Sequence, residues 1–120
     1  MCTGDGSFIF GVPSAVYWAQ YKLETPFLSI VVNNGGWKAT RSCINDVHPD
    51  GVASQVTDAG LGIDLQDDGP DYVGIAVAAS NGRLHGRKIS AASMLDSALR
   101  EAASIVANEN RGAMLEVVIS

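Results

Sequence analysis

Hydrophobic residues along this chain gather in short blocks parted by glycine, asparagine, aspartate and proline. The densest block, Phe27-Leu28-Ser29-Ile30-Val31-Val32, is β-branched and stops abruptly at Asn33-Asn34-Gly35-Gly36. A run of that length closed by turn residues predicts a buried strand that empties into a loop. Ahead of it, Pro13 to Leu23 opens with proline at a first helical position and continues through good helix formers, so it predicts a helix. From Lys38 to Pro70, glycine, aspartate, asparagine and proline interrupt every apolar period, which predicts loops and short helical turns. Asp71 to Ser80 carries Tyr72, Val73, Ile75, Ala76 and Ala79; the string YVGIAVAA also suits a strand, and we read it as a short helix. Leu84 to Ile89 predicts a strand. Met94, Leu95, Ala98, Leu99, Ala102, Ile105 and Val106 then recur at helical spacing behind Ser90-Ala91-Ala92-Ser93, whose hydroxyls are candidate N-caps. Ala113 to Ile119 predicts the last strand. Alternation of this kind predicts an α/β domain with a parallel sheet and helices on its faces.

Composition narrows the function classes. A chain of 120 residues has room for one domain with one modest core. Its net charge of -5 is spread along the sequence, which argues against nucleic acid and against an anionic membrane as partners. The longest apolar run falls short of the ~20 residues a bilayer needs, and the first residues lack the basic flank and apolar core of a signal peptide. The expected location is the cytoplasm or another intracellular compartment. Cys2 and Cys43 are too few for a disulfide framework or a cysteine zinc site.

Ligands of an open parallel sheet bind beyond the carboxyl ends of its strands. Two loops there draw attention: Gly4-Asp5-Gly6-Ser7, ahead of the first predicted helix, and Asn33-Asn34-Gly35-Gly36-Trp37, directly after the first predicted strand. Glycines let backbone N–H groups approach a phosphate closely, whereas the Asp5 carboxylate repels one. A magnesium ion between them resolves the conflict, because it takes oxygen from one or two carboxylates and from substrate phosphates. An asparagine oxygen and a backbone carbonyl of the second loop would complete the set, and spacing leaves Asn33 and Asn34 equally eligible. Each loop alone is ordinary turn chemistry. GDG and NN are separated by 26 residues holding a helix and a strand, the connection needed to return to the neighbouring loop at the same sheet edge. Asp5 reads as a loop ligand without a core role.

Other chemistry-bearing residues read as structural. His48 and His85 lack a ligand cluster, although the loop carrying His48 leaves the candidate site. Trp18 reads as helix packing, and Trp37 as either pocket wall or core. Asp64, Asp67, Asp68 and Asp71 lack the spacing of a calcium loop and read as a solvated acidic loop. Arg83, His85, Arg87 and Lys88 read as a solvated strand edge. Neither a nucleophile elbow nor a P-loop pattern occurs.

The stretch GDGSFIFGVPSAVYWAQYKLETPFLSIVVNNGGWK resembles the enzymes dependent on thiamine diphosphate, whose cofactor motif runs from GDG to NN. It is similar to the acetolactate synthase, benzaldehyde lyase and benzoylformate decarboxylase group, and the likeness extends through PDYVGIAVAAS to the final helix and strand. The resemblance implies a three-layer α/β/α fold with a mainly parallel sheet, the thiamine diphosphate-binding fold. Residues 1–120 would be the C-terminal pyrophosphate-binding domain, truncated at its N-terminus. It implies thiamine diphosphate and Mg2+ as cofactors, with Asp5, Asn34 and the Gly36 carbonyl as metal ligands. The cofactor site would comprise Gly4, Asp5, Gly6, Ser7 and Phe8 on one side and Asn34, Gly35, Gly36 and Trp37 on the other. No catalytic residue is expected on this chain. The resemblance assigns the activating glutamate to a pyrimidine-binding domain, in the same enzyme or a second subunit. The complete enzyme would be a homo-oligomer acting on a 2-keto acid or aldehyde as a lyase or transferase, and the 120 residues alone would be inactive. Were they active, Glu24, Asp46 and His48 would be the first candidates for proton transfer. The competing class is a non-enzymatic α/β module that binds a nucleotide or phosphate.

Overall fold

The computed structural model describes residues 1–119. In chain order the elements are β1 (Cys2–Gly4), α1 (Asp5–Phe10), α2 (Pro13–Lys22), β2 (Leu28–Asn33), α3 (Lys38–Val47), α4 (Tyr72–Ala79), β3 (His85–Ile89), α5 (Leu95–Asn108) and β4 (Ala113–Val118). Two 3₁₀ turns, Val52–Gln55 and Ala92–Met94, lie after α3 and before α5. The four strands are all parallel, in the order β1-β2-β4-β3.

That order and the handedness of crossovers place the helices. The path from β1 through β2 to β3 runs one way across the sheet, so its helices share a face; β3 to β4 turns back, and a right-handed crossover then puts α5 on the opposite face. The packing agrees. Phe8, Tyr17, Tyr72 and Ala76, from α1, α2 and α4, meet Val31 and Met114 in one core. Ala98 and Ala102 of α5 meet Ile89, Ala113 and Leu115 in the other. Period-2 alternation along β4 sends Met114 to one core and its neighbours Ala113 and Leu115 to the other. The result is three layers, α/β/α. The Tyr17 hydroxyl, 2.7 Å from Ser29 Oγ, ties α2 to β2, and Ser29 donates to the Ala113 carbonyl at 3.3 Å.

Four features depart from expectation. The GDG segment is not a free loop: Asp5 opens the six-residue helix α1, which drives Phe8 into the core. Lys38 to Pro70 is not only loop, because α3 occupies its first third with no fully buried residue. The segment folds about Arg41, which donates to Asp58 at 2.6 Å and to the carbonyls of Ala53 and Val56 at 3.2 and 2.6 Å. No serine caps α5; the Ala92–Met94 turn leads into it. Trp18, expected to pack, is 57% exposed. Elsewhere sequence and structure coincide closely, and Asp71 caps α4 by accepting the Gly74 N–H at 2.8 Å. No helix among the described residues is long and apolar enough to cross a membrane.

Candidate functional site

Because β1 and β2 are adjacent and parallel, with Gly4 paired to Val32, their carboxyl ends deliver the two glycine loops side by side. Asp5 follows β1 directly and is buried, 2% exposed. Its Oδ1 accepts the Gly6 N–H and its Oδ2 accepts the Gly36 N–H, each at 2.8 Å. Asp5 therefore does have a core role: it bolts one loop to the other.

The second loop is shaped by glycine. Gly35 and Gly36 have φ of +79° and +138°, backbone that a side chain resists. A Cβ on Gly36 would also strike the Ile63 carbonyl oxygen. That close approach lets the Gly35 carbonyl accept from Leu65 N–H and the Ile63 carbonyl accept from Trp37 N–H, both at 3.0 Å, lacing the loop to the returning Ile63–Leu65 segment.

The structure separates the two asparagines. Asn33 Nδ2 donates to Glu116 at 2.8 Å while its Oδ1 accepts the Gly35 N–H at 3.0 Å, so both its amide atoms are engaged. Asn34 instead sets one amide atom 3.2 Å from Asp5 Oδ1 and 2.9 Å from the Gly36 carbonyl oxygen. With nitrogen there it donates to both. With oxygen there, three oxygens face one another with no hydrogen between them, an arrangement that a cation satisfies. Among the described residues no group of three His, Cys, Asp or Glu side chains gathers anywhere; this donor set is one carboxylate, one amide and one carbonyl.

The remaining candidates divide by side chain and backbone. Gly4 ends β1 in extended backbone, and Ser7 is exposed on α1. Phe8 is buried, its ring edge-on to Tyr72 at 5.6 Å, so only its backbone is free to meet a ligand. Trp37 lies over Gly6, where a Cβ would collide with the indole, and meets Phe10 edge-on at 5.6 Å. Its indole is half-buried against α1. His48 is exposed at the end of α3, and Asp46 is exposed nearby. Glu24 lines a polar hollow with Gln20, Arg83 and Arg111 at the opposite, N-terminal end of the strands.

Two residues that sequence reasoning passed over lie beneath the site. Glu116 is 2% exposed and pairs with Lys88 at 2.9 Å; a lone carboxylate inside the apolar strand AMLEVV was the available signal, since a buried charge needs a partner. Lys88 is accordingly an anchor for that carboxylate as well as an edge residue. The Tyr72 hydroxyl is buried without a hydrogen-bond partner among the described residues. Its burial, with the carboxylates of Asp5 and then Glu116 nearby, pushes the phenol up to about 12.

Known proteins bear on this arrangement. No curated protein sequence matches the chain. Among solved structures, the thiamine diphosphate-dependent 4-hydroxybenzoylformate decarboxylase of Rhodococcus jostii RHA1 is similar in fold, with a TM-score of 0.73 at 22% identity. The likeness covers 99% of this chain and 19% of that one, so the chain spans about a fifth of that enzyme's length. Residues 1–117 match the family described as thiamine pyrophosphate enzyme, C-terminal TPP binding domain. The chain belongs to that family of thiamine pyrophosphate enzymes, as a C-terminal TPP-binding domain.

Proposed function

We propose that this chain holds the diphosphate of thiamine diphosphate through a magnesium ion, as the C-terminal part of an enzyme that makes or breaks carbon–carbon bonds next to a carbonyl. A 2-keto acid decarboxylase, a carboligase and an acetolactate synthase-like enzyme all fit that description. The observation that carries the reading is the convergence of Asp5 Oδ1, the Asn34 amide and the Gly36 carbonyl between the ends of β1 and β2. A half-turn of the Asn34 amide makes the donor set all oxygen, which suits a hard cation that keeps its remaining positions for phosphate and water.

In this reading Asp5 supplies the negative charge, Asn34 and Gly36 supply neutral oxygens, and the backbone around Gly6, Ser7 and Phe8 meets the diphosphate. Gly35 and Gly36 bring the carbonyl into reach, and Trp37 closes one side. When bound, thiamine diphosphate supplies the nucleophilic carbon and the electron sink. This chain's residues hold and orient. Glu24, Asp46 and His48 lie away from the loops, so proton transfer falls to a separate pyrimidine-binding domain, and the 120 residues alone turn over nothing.

Titration calorimetry tests the reading. Thiamine diphosphate should bind with magnesium, should fail to bind with a chelator, and should lose affinity in Asn34→Leu. Equal binding of magnesium-ATP would favour a general phosphate-binding module, and binding indifferent to chelation would overturn the metal clamp. Carbon dioxide release from 2-keto acids by these residues alone would relocate the proton chemistry to this chain.

A further inference from the structure

Two adjacent asparagines in this site face different partners, and Glu116 anchors one of them. Its Oε1 takes the Asn33 Nδ2 hydrogen at 2.8 Å and the Lys88 ammonium at 2.9 Å. With nitrogen committed downward, Asn33 must turn its oxygen upward, where it accepts the Gly35 N–H at 3.0 Å. Gly36 follows, and its N–H is held by Asp5 at 2.8 Å. The path runs Lys88, Glu116, Asn33, Gly35, Gly36, Asp5, touching β3, β4, β2 and the end of β1 in turn. Asn34 lacks that anchor: its nitrogen faces Asp5 and Gly36, and only a cation lying between those oxygens would favour the turned-over amide.

We propose that Glu116 is a positioning residue: by fixing which way the Asn33 amide points, it holds the Gly35–Gly36 turn so that the Gly36 carbonyl and Asn34 meet the cation. The proposal rests on the magnesium-diphosphate reading above. An apolar residue of the same volume would pack there without the desolvation penalty of a buried carboxylate. Such a residue would leave the Asn33 Nδ2 without an acceptor, so that only the Gly35 N–H would hold the amide in place. The turn would then lose its strut, and the carbonyl of Gly36 its aim. Glutamine can keep the strut, because its amide oxygen accepts from both Asn33 and Lys88.

The test uses the whole chain and two readouts. The first is hydrogen exchange of the Gly35 amide, measured without cofactor. The second is the magnesium concentration that half-saturates thiamine diphosphate binding, followed by Trp37 fluorescence. Glu116→Leu should speed Gly35 exchange and raise the magnesium requirement, each about tenfold, the effect of one oriented hydrogen bond. Asn33→Asp, which sets a second carboxylate against Glu116, should do the same. Adding Glu116→Gln to Asn33→Asp should restore both readouts, because the new amide donates to the new carboxylate. A merely structural role predicts lower melting temperatures without that reciprocal rescue. Unchanged Gly35 exchange in Glu116→Leu, or additive loss in the double variant, overturns the proposal. If the wild-type chain shows no magnesium-dependent binding, the cofactor reading falls, while Gly35 exchange still decides whether Glu116 sets the turn.

Discussion

Replacing Asp5 with alanine should disturb the fold as well as the proposed cation site. The substitution strips the acceptor from two backbone N–H groups, those of Gly6 and Gly36, each now bonded at 2.8 Å and both belonging to buried glycines. A buried donor left without a partner costs about 1–3 kcal/mol. Two such donors put the expected loss at roughly 3–4 kcal/mol, a large share of the 5–15 kcal/mol by which a domain is typically stable. At about 2.1 cal/mol/K per residue, a chain of 120 residues unfolds with an entropy near 0.25 kcal/mol/K, so the melting temperature should fall by about 12–16 °C. Asp5→Asn should lose about half as much, since its single oxygen still accepts one of the two N–H groups. Thermal unfolding followed by circular dichroism in metal-free buffer reads both. A melting temperature for Asp5→Ala within about 3 °C of wild type, on the same entropy scale, would show that the two bonds add nothing to the fold.

Three further outcomes follow from buried or strained groups. Tyr72→Phe removes a buried hydroxyl without a partner, so it should raise stability by about 1 kcal/mol in chemical denaturation. The folded phenol keeps its proton to about pH 12 whereas the unfolded one releases it near 10.0, so wild type loses stability as pH rises across that window and Tyr72→Phe should lose less. Asp58 has its carboxyl held below the usual 3.8, first by the hydrogen bond from Arg41 and then by that from Lys38. Its contribution is complete above that value and is lost as pH falls below it, so exchange protection in α3, corrected for intrinsic rates, should drop at acid pH in wild type and already be low at neutral pH in Asp58→Asn. Val12 is β-branched, 60% exposed and left-handed at φ +50°. Val12→Asn should relieve about 1 kcal/mol of that strain and raise the melting temperature, and a lower one would mean that the valine packs against more than its exposure suggests.

How much of this was legible beforehand depends on what each element packs against. The helix α5 announces itself because Ala98, Ala102 and Ile105 repeat at helical spacing against the sheet. The strand β2 does so because its block of β-branched residues stops at Asn33-Asn34-Gly35-Gly36. By contrast α3 is amphipathic yet buries no residue fully, and it is held by Arg41 and Asp58, partners 17 apart that no local pattern links. The helix α1 hides because its first turn holds a glycine and an aspartate, residues that read as loop wherever packing does not overrule them. Within the site, GDG and NN mark the two loops, yet nothing in a pair of identical side chains tells which faces Asp5. That choice is made by Glu116, 83 residues from Asn33 and brought beneath it by the β2–β4 register.

The shortest strand has the longest reach. β1 contributes three residues, paired on one side only, to the edge of the sheet. Those three pairings are the ruler that spaces Asp5 from Gly36, since a slip by one residue would carry the carboxylate off by a full strand step and turn it to the other face. The outer rim of β1 still carries backbone groups open to a further strand. A segment that zipped onto this rim would stiffen the ruler without touching either loop. The spacing of the two glycine loops is therefore tied to whatever borders the sheet, and strand addition at β1 is a route by which a neighbouring segment can tighten or loosen it.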